Sequence, residues 1–462
     1  MKKLNLNESF ISRIWMTPSY YSGLKTTEGR PVEVISYGNP NYDSGADFSG
    51  SLVKIGGILY SGDVEIHRSV KDWKLHRHTG NRKYNKVILN VVFWGDGLKN
   101  SKTTTIKRNI PTVILSEYIN MSIHEIWKDI INNPSPVFSL PCSGKSAAAD
   151  TTLKKAWIND LGMERLKYRA GRIMQRMQTL ENEISSLGRK EVWEKALLEF
   201  VFEALGFSKN KEQFLKLSRI LDLEKLRKLC KTPDDIDSIL YGCSGLLSND
   251  KGTYVYRIKS KWSLLHKELR FETMDRSEWN YFRLRPVNFP TLRVAYASGF
   301  THELLFGELF RRLIFCFKNS LNPIKDISGI LSDIEYSDYW TTHYDFGKES
   351  RTVKTLAGKS RIEDIITNVI IPLVYVYSRE FRDDDLFIKM KRVYRTEDYK
   401  SNNIILKLMK KQTGVTPASI CESQGVIHLH NFYCTKEKCS ECKIGEKVFD
   451  KFSVSEYAEI IY

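Results

Sequence analysis

Seven consecutive residues at 87–93, VILNVVF, are apolar at every position but one. A run of this length and β-branched content reads as a strand covered on both faces, hence one in the interior of a mixed sheet. Asn90 is the interruption, and it is expected to point into the site assembled by the segment upstream.

That segment, GSLVKIGGILYSGDVEIH at 50–67, has the pattern of a β-hairpin. Val53 and Ile55 alternate with Lys54, Gly56-Gly57 forms a two-residue turn able to take positive φ, and Ile58 begins the return strand. On the return strand Val64 and Ile66 point one way, while Asp63, Glu65 and His67 point the other. An acid and an imidazole two residues apart therefore share a face, roughly 7 Å apart by strand rise. The combination suits a divalent cation held by carboxylates, with a second group acting on a water or a phosphate. Asp47, in GADF at 45–48, is the natural second carboxylate. With Ile55 opposite Ile58, however, a straight ladder sets Phe48 against Glu65 and turns Asp47 to the wrong face. The constellation requires a bulge, which Gly50 or Gly62 could host. Downstream, DWKLHRH at 72–78 adds Asp72, His76 and His78. Histidines favour zinc, manganese or iron over magnesium.

At these residues the chain resembles an uncharacterised bacterial family, a domain of unknown function. The resemblance takes in GADF, GDVEIH, DWKLHRH and LNVV, then RLRPVNFPTLRVA at 283–295, and a terminal QG…C…C..C pattern. The N-terminal part also resembles the PD-(D/E)XK nuclease-like superfamily. That likeness implies that Asp47 and Glu65 hold a divalent metal (Mg, Mn or Zn) and that His67 stands at the lysine position. It implies catalytic roles for Asp47, Glu65 and His67; apart from the likeness, three histidines within twelve positions beside Asp63, Glu65 and Asp72 make His76 and His78 candidate metal ligands. Ala46 replaces the superfamily's proline, and His67 is a poorer fixed cation than lysine because imidazole is mostly neutral near pH 7.

The rest of the chain is patterned differently. An amphipathic helix is expected at 8–15, with Phe10, Ile11, Ile14 and Trp15 on one stripe, and a strand at 32–37. A strand and crossing segment at 104–116 and a helix at 122–131 complete the first domain, placed at 1–135. The Pro-, Ser-, Gly- and Ala-rich stretch 131–150 marks its boundary. A helical domain follows at 150–400, then a C-terminal segment at 401–462 with a cysteine cluster. The fold class is α+β: an N-terminal mixed β-sheet, nuclease-like domain followed by a mainly α-helical region. No fixed-period repeat is visible.

Length and composition narrow the functional classes. The 462 residues are ample for two to four domains. Basic residues number 71 against 55 acidic, a net charge of +16, and the excess is spread, with 18 against 12 in residues 1–135. Such a field favours anionic partners, nucleic acid first. The first fifteen residues lack a leader's apolar core, and the greasiest stretch, 365–377, is too short and polar to span a bilayer. No membrane association is expected. Eight unevenly spaced cysteines do not make a disulfide framework, so a cytoplasmic setting is expected.

Three other motifs carry weight. CSGKS at 142–146 and AGKS at 357–360 hint at a phosphate loop, but the glycine required five residues earlier is Ser139 or Val353. Arg283, Arg285 and Arg293 could clamp nucleic-acid phosphates, or serve a structural turn. Cys434, Cys439 and Cys442, spaced C-x4-C-x2-C, could hold zinc or an iron–sulfur cluster, with His428, His430 or Cys421 as a fourth ligand. Reduced, partly buried cysteines are the plain alternative. Two functions follow: a metal-dependent nuclease or phosphodiesterase acting on nucleic acid, or a non-catalytic nucleic-acid- or protein-binding module that retains the nuclease-like fold.

Overall fold

The N-terminal unit is built around the Gly56-Gly57 turn, whose φ angles of 60° and 90° let the chain reverse in two residues. The computed structural model divides the chain into two units, Met1–Ser139 and Leu140–Tyr462. It describes residues 6, 8–41, 45–75, 84–95, 109–132, 149–183, 188–207, 209–247, 252–281, 284–349, 355–398, 403–436 and 438–449.

The first unit begins with helix α1 (Glu8–Trp15), followed by strands β1 (Val32–Ser36), β2 (Asn39–Pro40), β3 (Phe48–Ile55) and β4 (Ile58–Ser69). A short helix α2 (Asp72–Leu75), strands β5 (Val87–Trp94) and β6 (Thr112–Ile114), and helix α3 (Ile123–Asn132) complete it. The sheet order is β1-β3-β4-β5-β6, with β2 also paired to β3. Strands β1, β2 and β4 run antiparallel to β3, whereas β5 runs parallel to both β4 and β6. Every residue of β5 except Trp94 is buried, as an interior strand with parallel neighbours requires. The apolar stripe of α1 supplies Ile11, Ile14 and Trp15 to a core that also holds Val53, Ile55, Val64, Ile66, Leu89, Val91 and Phe93. Each such side chain contributes about 1.5–3 kcal/mol of transfer free energy. Two smaller clusters, Ala46/Trp73/Tyr84/Val87/Ile110 and Val70/Val92/Ile114, pack separately from that core.

The second unit is helical apart from a small ladder. Its helices are α4 (Thr151–Glu183), α5 (Arg189–Leu205), α6 (Lys211–Ile220), α7 (Leu223–Leu229), α8 (Pro233–Cys243) and α9 (Thr253–Leu269). Next come α10 (Pro290–Phe306), α11 (Leu309–Asn319), α12 (Pro323–Ser332) and α13 (Tyr339–Thr342), then the strand pair β7 (His343–Asp345) and β8 (Lys348–Glu349). Helices α14 (Lys359–Ile365), α15 (Ile371–Glu380), α16 (Asp384–Thr396), α17 (Ile404–Thr413), α18 (Ile420–His428) and α19 (Lys443–Phe449) follow. One continuous core runs through them, from Ala149 to Val448, so the C-terminal segment shares it. Helices α4 and α18 approach without side chains between them: a Cβ at Gly425 would lie 1.9 Å from the Ile158 carbonyl oxygen. The apolar stretch at 365–377 belongs to α14, a π-turn at Ile366–Ile370 and α15, and most of it is buried in this core. No helix among the described residues is long and apolar enough to cross a membrane. A mixed sheet followed by helices is the expected α+β arrangement.

Candidate functional site

The register of the hairpin decides whether two carboxylates can meet. Ser51 pairs with Gly62, but Phe48 pairs with Val64, so β3 carries one extra residue between Phe48 and Ser51. Gly50 takes it up at φ 69°, a conformation glycine adopts without a Cβ penalty. Its N–H donates to Asp63 Oδ1 at 3.2 Å, so the bulge is pinned by a side chain of the partner strand. Past the bulge, Asp47 stands opposite Glu65. The two are cross-tied: Asp47 N–H donates to Glu65 Oε2 at 3.0 Å, and Ile66 N–H donates to Asp47 Oδ2 at 2.9 Å.

The imidazole joins them from two residues along β4. His67 is fully buried and its Nε2 lies 3.7 Å from Glu65 Oε1. Strand β5 contributes Asn90, paired in register with Glu65, and its Oδ1 lies 2.8 Å from His67 Nδ1. An amide oxygen can only accept, so Nδ1 carries a proton that it donates to Asn90, and Nε2 is the nitrogen that faces the carboxyl. Asn90 Nδ2 is buried with no hydrogen-bond partner among the described residues. The ring of Trp73 meets His67 edge-on at 5.9 Å.

Electrostatics single out Glu65. Burial pushes its carboxyl up to about 8; the Asp47 N–H opposes the rise, and the charges of Glu8 and Asp63 add to it. The Glu8 contribution is not legible from the sequence, in which this residue merely opens an amphipathic helix. Glu8 opens α1, with Oε1 buried, and α1 packs on β4. Its one sequence signal is an acid just ahead of the apolar stripe, and acids are common in a first helical turn.

The remaining candidates are dispersed. Asp72 Oδ2 accepts from Ser69 N–H at 3.0 Å, a local turn contact. His76, His78 and Arg283 lie outside the described residues. Arg285 is exposed beside the turn Pro286–Asn288. Arg293 is buried in α10, donating from Nη1 to the Leu356 carbonyl and from Nη2 to Asn288 Oδ1, both at 2.7 Å. Burial lowers its pKa to about 10, and the like charge of Arg361 adds to the fall. Cys434 and Cys439 are half-buried and Cys442 is buried next to α19. Cys421 packs in α18 with Sγ 3.5 Å from the Asn159 carbonyl, and His428 stacks on Phe432 with Nε2 3.4 Å from Glu164. His430 Nδ1 lies 2.8 Å from Asn431 Oδ1. Among the described residues, no group of three or more His, Cys, Asp or Glu side chains is placed to hold a metal ion.

Residues 8–403 match the model of a family described as "Protein of unknown function (DUF2851)". The chain belongs to this family. The matched span begins at Glu8 and includes the hairpin, Asn90 and the 283–295 segment, and it stops short of the cysteines at 434–442. No curated protein and no solved structure matches the chain.

Proposed function

We propose that the N-terminal unit is a metal-dependent phosphodiesterase of PD-(D/E)XK type acting on nucleic acid. The observation that carries this reading is the bulge at Gly50, which sets Asp47 opposite Glu65 on a strand that runs parallel to a buried neighbour. Asp47 and Glu65 offer hard carboxylate oxygens of the kind a divalent cation takes, two side chains rather than a complete set, and the carboxyl of Glu65 is one that a bound cation would return to its ionised form. A bound cation would supply Lewis-acid polarisation of a phosphate and a more acidic water. Asp47 and Glu65 would hold it, with the charge of Glu8 alongside. His67, its Nδ1–H tied to Asn90, directs Nε2 at the Glu65 carboxyl.

The burial of Glu65 and His67, at 5% and 0% exposure, favours a second reading. On this reading the module keeps the fold and binds nucleic acid or protein without turnover. Incubation of the full chain with DNA and RNA oligonucleotides in Mn2+ or Mg2+ separates the two. The first reading expects cation-dependent cleavage lost in Glu65→Ala. Binding that weakens steeply with salt, no turnover with any divalent ion, and tolerance of Asp47→Ala would replace it with the second. Elemental analysis of the purified wild type, Glu65→Ala and Cys439→Ser counts the metals at the hairpin and at the C-terminal cysteines.

A further inference from the structure

Helices α8, α9 and α10 and the connecting segment 333–338 line a cavity of about 1000 Å³ whose charge is opposite in sign to that of the chain. Six carboxylates are on its wall: Asp234, Asp237, Glu303, Asp333, Glu335 and Asp338. Against them stand Arg257 and, when protonated, His302. Arg257 Nε takes Asp234 Oδ2 at 2.6 Å, and Arg312, off the wall, takes Glu303 Oε2 at 2.7 Å. The other four carboxylates have no ion pair among the described residues.

Asp237 is the decisive one. It is 6% exposed, and its Oδ2 accepts from the Tyr254 hydroxyl at 2.7 Å, with the Ser298 hydroxyl as a second donor. Tyr254 is held in turn by Trp340, whose Nε1 donates to the tyrosine oxygen at 3.2 Å. Burial pushes the Asp237 carboxyl up to about 6 and the two hydroxyls oppose the rise, so the group is charged at pH 7. Both donors are neutral. Buried charges are ordinarily paired, because desolvation is costly without a counter-ion. A carboxylate so placed on a cavity wall seeks its cation from solution.

The wall also restricts the kind of cation. Among the described residues no three His, Cys, Asp or Glu side chains are placed to hold a metal ion, so these carboxylates do not converge on one point. Tyr254, Tyr336 and Tyr339 supply apolar surface on the same wall, the first and third stacked at 4.8 Å. The acidic segment is held in place by close contact. A Cβ at Gly299 would lie 2.1 Å from the Glu335 carbonyl oxygen, so 333–338 lies directly on α10. Spaced anions with apolar surface beside them match a ligand of spaced ammonium groups joined by methylenes.

We propose that this cavity binds a linear aliphatic polyamine, with one ammonium on Asp237, the others toward Asp333, Glu335 and Asp338, and the methylenes against the tyrosines. The cavity belongs to the helical unit and does not rest on the hairpin reading.

The test uses the full chain with Glu65→Ala throughout, so that the hairpin offers no second cation site. Spermine, putrescine, Mg2+ and tetralysine are titrated calorimetrically. Spermine is expected to bind most tightly, with an affinity that falls as salt is added. Asp237→Asn, which keeps an oxygen for the Tyr254 hydroxyl, should weaken spermine about tenfold or more. Should that variant not fold, the exposed pair Asp333→Asn/Asp338→Asn decides alone, with an expected loss of about fivefold. Glu212→Gln, an exposed carboxylate of α6 off the wall, should change nothing. The proposal is overturned if no polyamine binds, or if spermine binds the cavity variants as well as it binds their parent. It is also overturned if Mg2+ displaces spermine at equal concentration, which marks a metal site, or if tetralysine binds more tightly, which marks a peptide site.

Discussion

Glu65 is a carboxyl whose ionised form the fold disfavours. A carboxyl at 5% exposure, beside the charges of Glu8 and Asp63, is favoured in its neutral form. Its folded-state pKa of about 8 lies above the ordinary 4.5, so the folded protein holds a proton that the unfolded chain releases. The associated stability is full below pH 4.5 and is lost as pH rises through 8. Glu65→Gln keeps an oxygen for the Asp47 N–H and has no proton to lose. Relative to wild type, we expect the cation-free variant to gain on the order of 4 kcal/mol as pH rises from 5 to 9. Urea unfolding at the two pH values measures it, and parallel curves would show that Glu65 does not titrate as its surroundings require. On the proposed reading the same variant should lose Mn2+ binding, a gain in stability at the expense of the site. Arg293 shows the opposite outcome. A guanidinium bonded to a carbonyl and an amide, in a buried position, braces the 286–290 turn against Leu356 and is of no use to a surface ligand.

Among the elements, the β3–β4 hairpin has the least tolerance for error. Gly50 is the extra residue of β3, and no atom lies within 4 Å of where its Cβ would be, so a substitution is resisted only by backbone conformation. Gly50→Val should cost about 1–2 kcal/mol in the left-handed region and favour a straight ladder. That ladder would place Phe48 against Glu65 and turn Asp47 away. Deleting Gly50 instead removes the extra residue while leaving Phe48 opposite Val64 and Asp47 opposite Glu65. Cation binding by calorimetry should therefore fall in Gly50→Val and persist in the deletion; equal loss in both would mean that register does not control the site. The α4–α18 contact behaves differently, because there the constraint is space. A Cβ at Gly425 would overlap the Ile158 carbonyl, and one at Gly162 would lie 2.2 Å from the Cys421 carbonyl. Gly425→Ala should destabilise the helical unit by about 3 kcal/mol or more, read from its melting curve.

The molecule as a whole is two cores on one chain. Residues 1–139 enclose Trp15, Phe48, Val91 and Phe93 in a core of their own, while the helices enclose a separate one. The fragment 1–139 should consequently unfold in one cooperative urea transition with an m-value of about 1–3 kcal/mol/M. A gradual, non-cooperative loss of structure would show that the N-terminal core depends on the helices. A net charge of +16 raises encounter rates with anionic molecules at low salt.

The amino-acid sequence alone determined what depends on near neighbours. The period-two alternation and the Gly-Gly turn specified the hairpin, the apolar run broken only by Asn90 specified the interior strand β5, and the helical spacing specified the second unit. Even the need for a bulge was legible, because counting residues from the turn showed that Asp47 and Glu65 could not otherwise share a face. Tertiary structure alone decided the environment of each charge. His67 meets Asn90 across 23 residues, Glu8 acts on Glu65 from another element, and Arg293 reaches Leu356 across 63. Burial and pairing are set by groups that approach only when the chain is folded, and electrostatic energies depend steeply on that approach. For the same reason Arg172 finds its carboxylate in Glu203, 31 residues away.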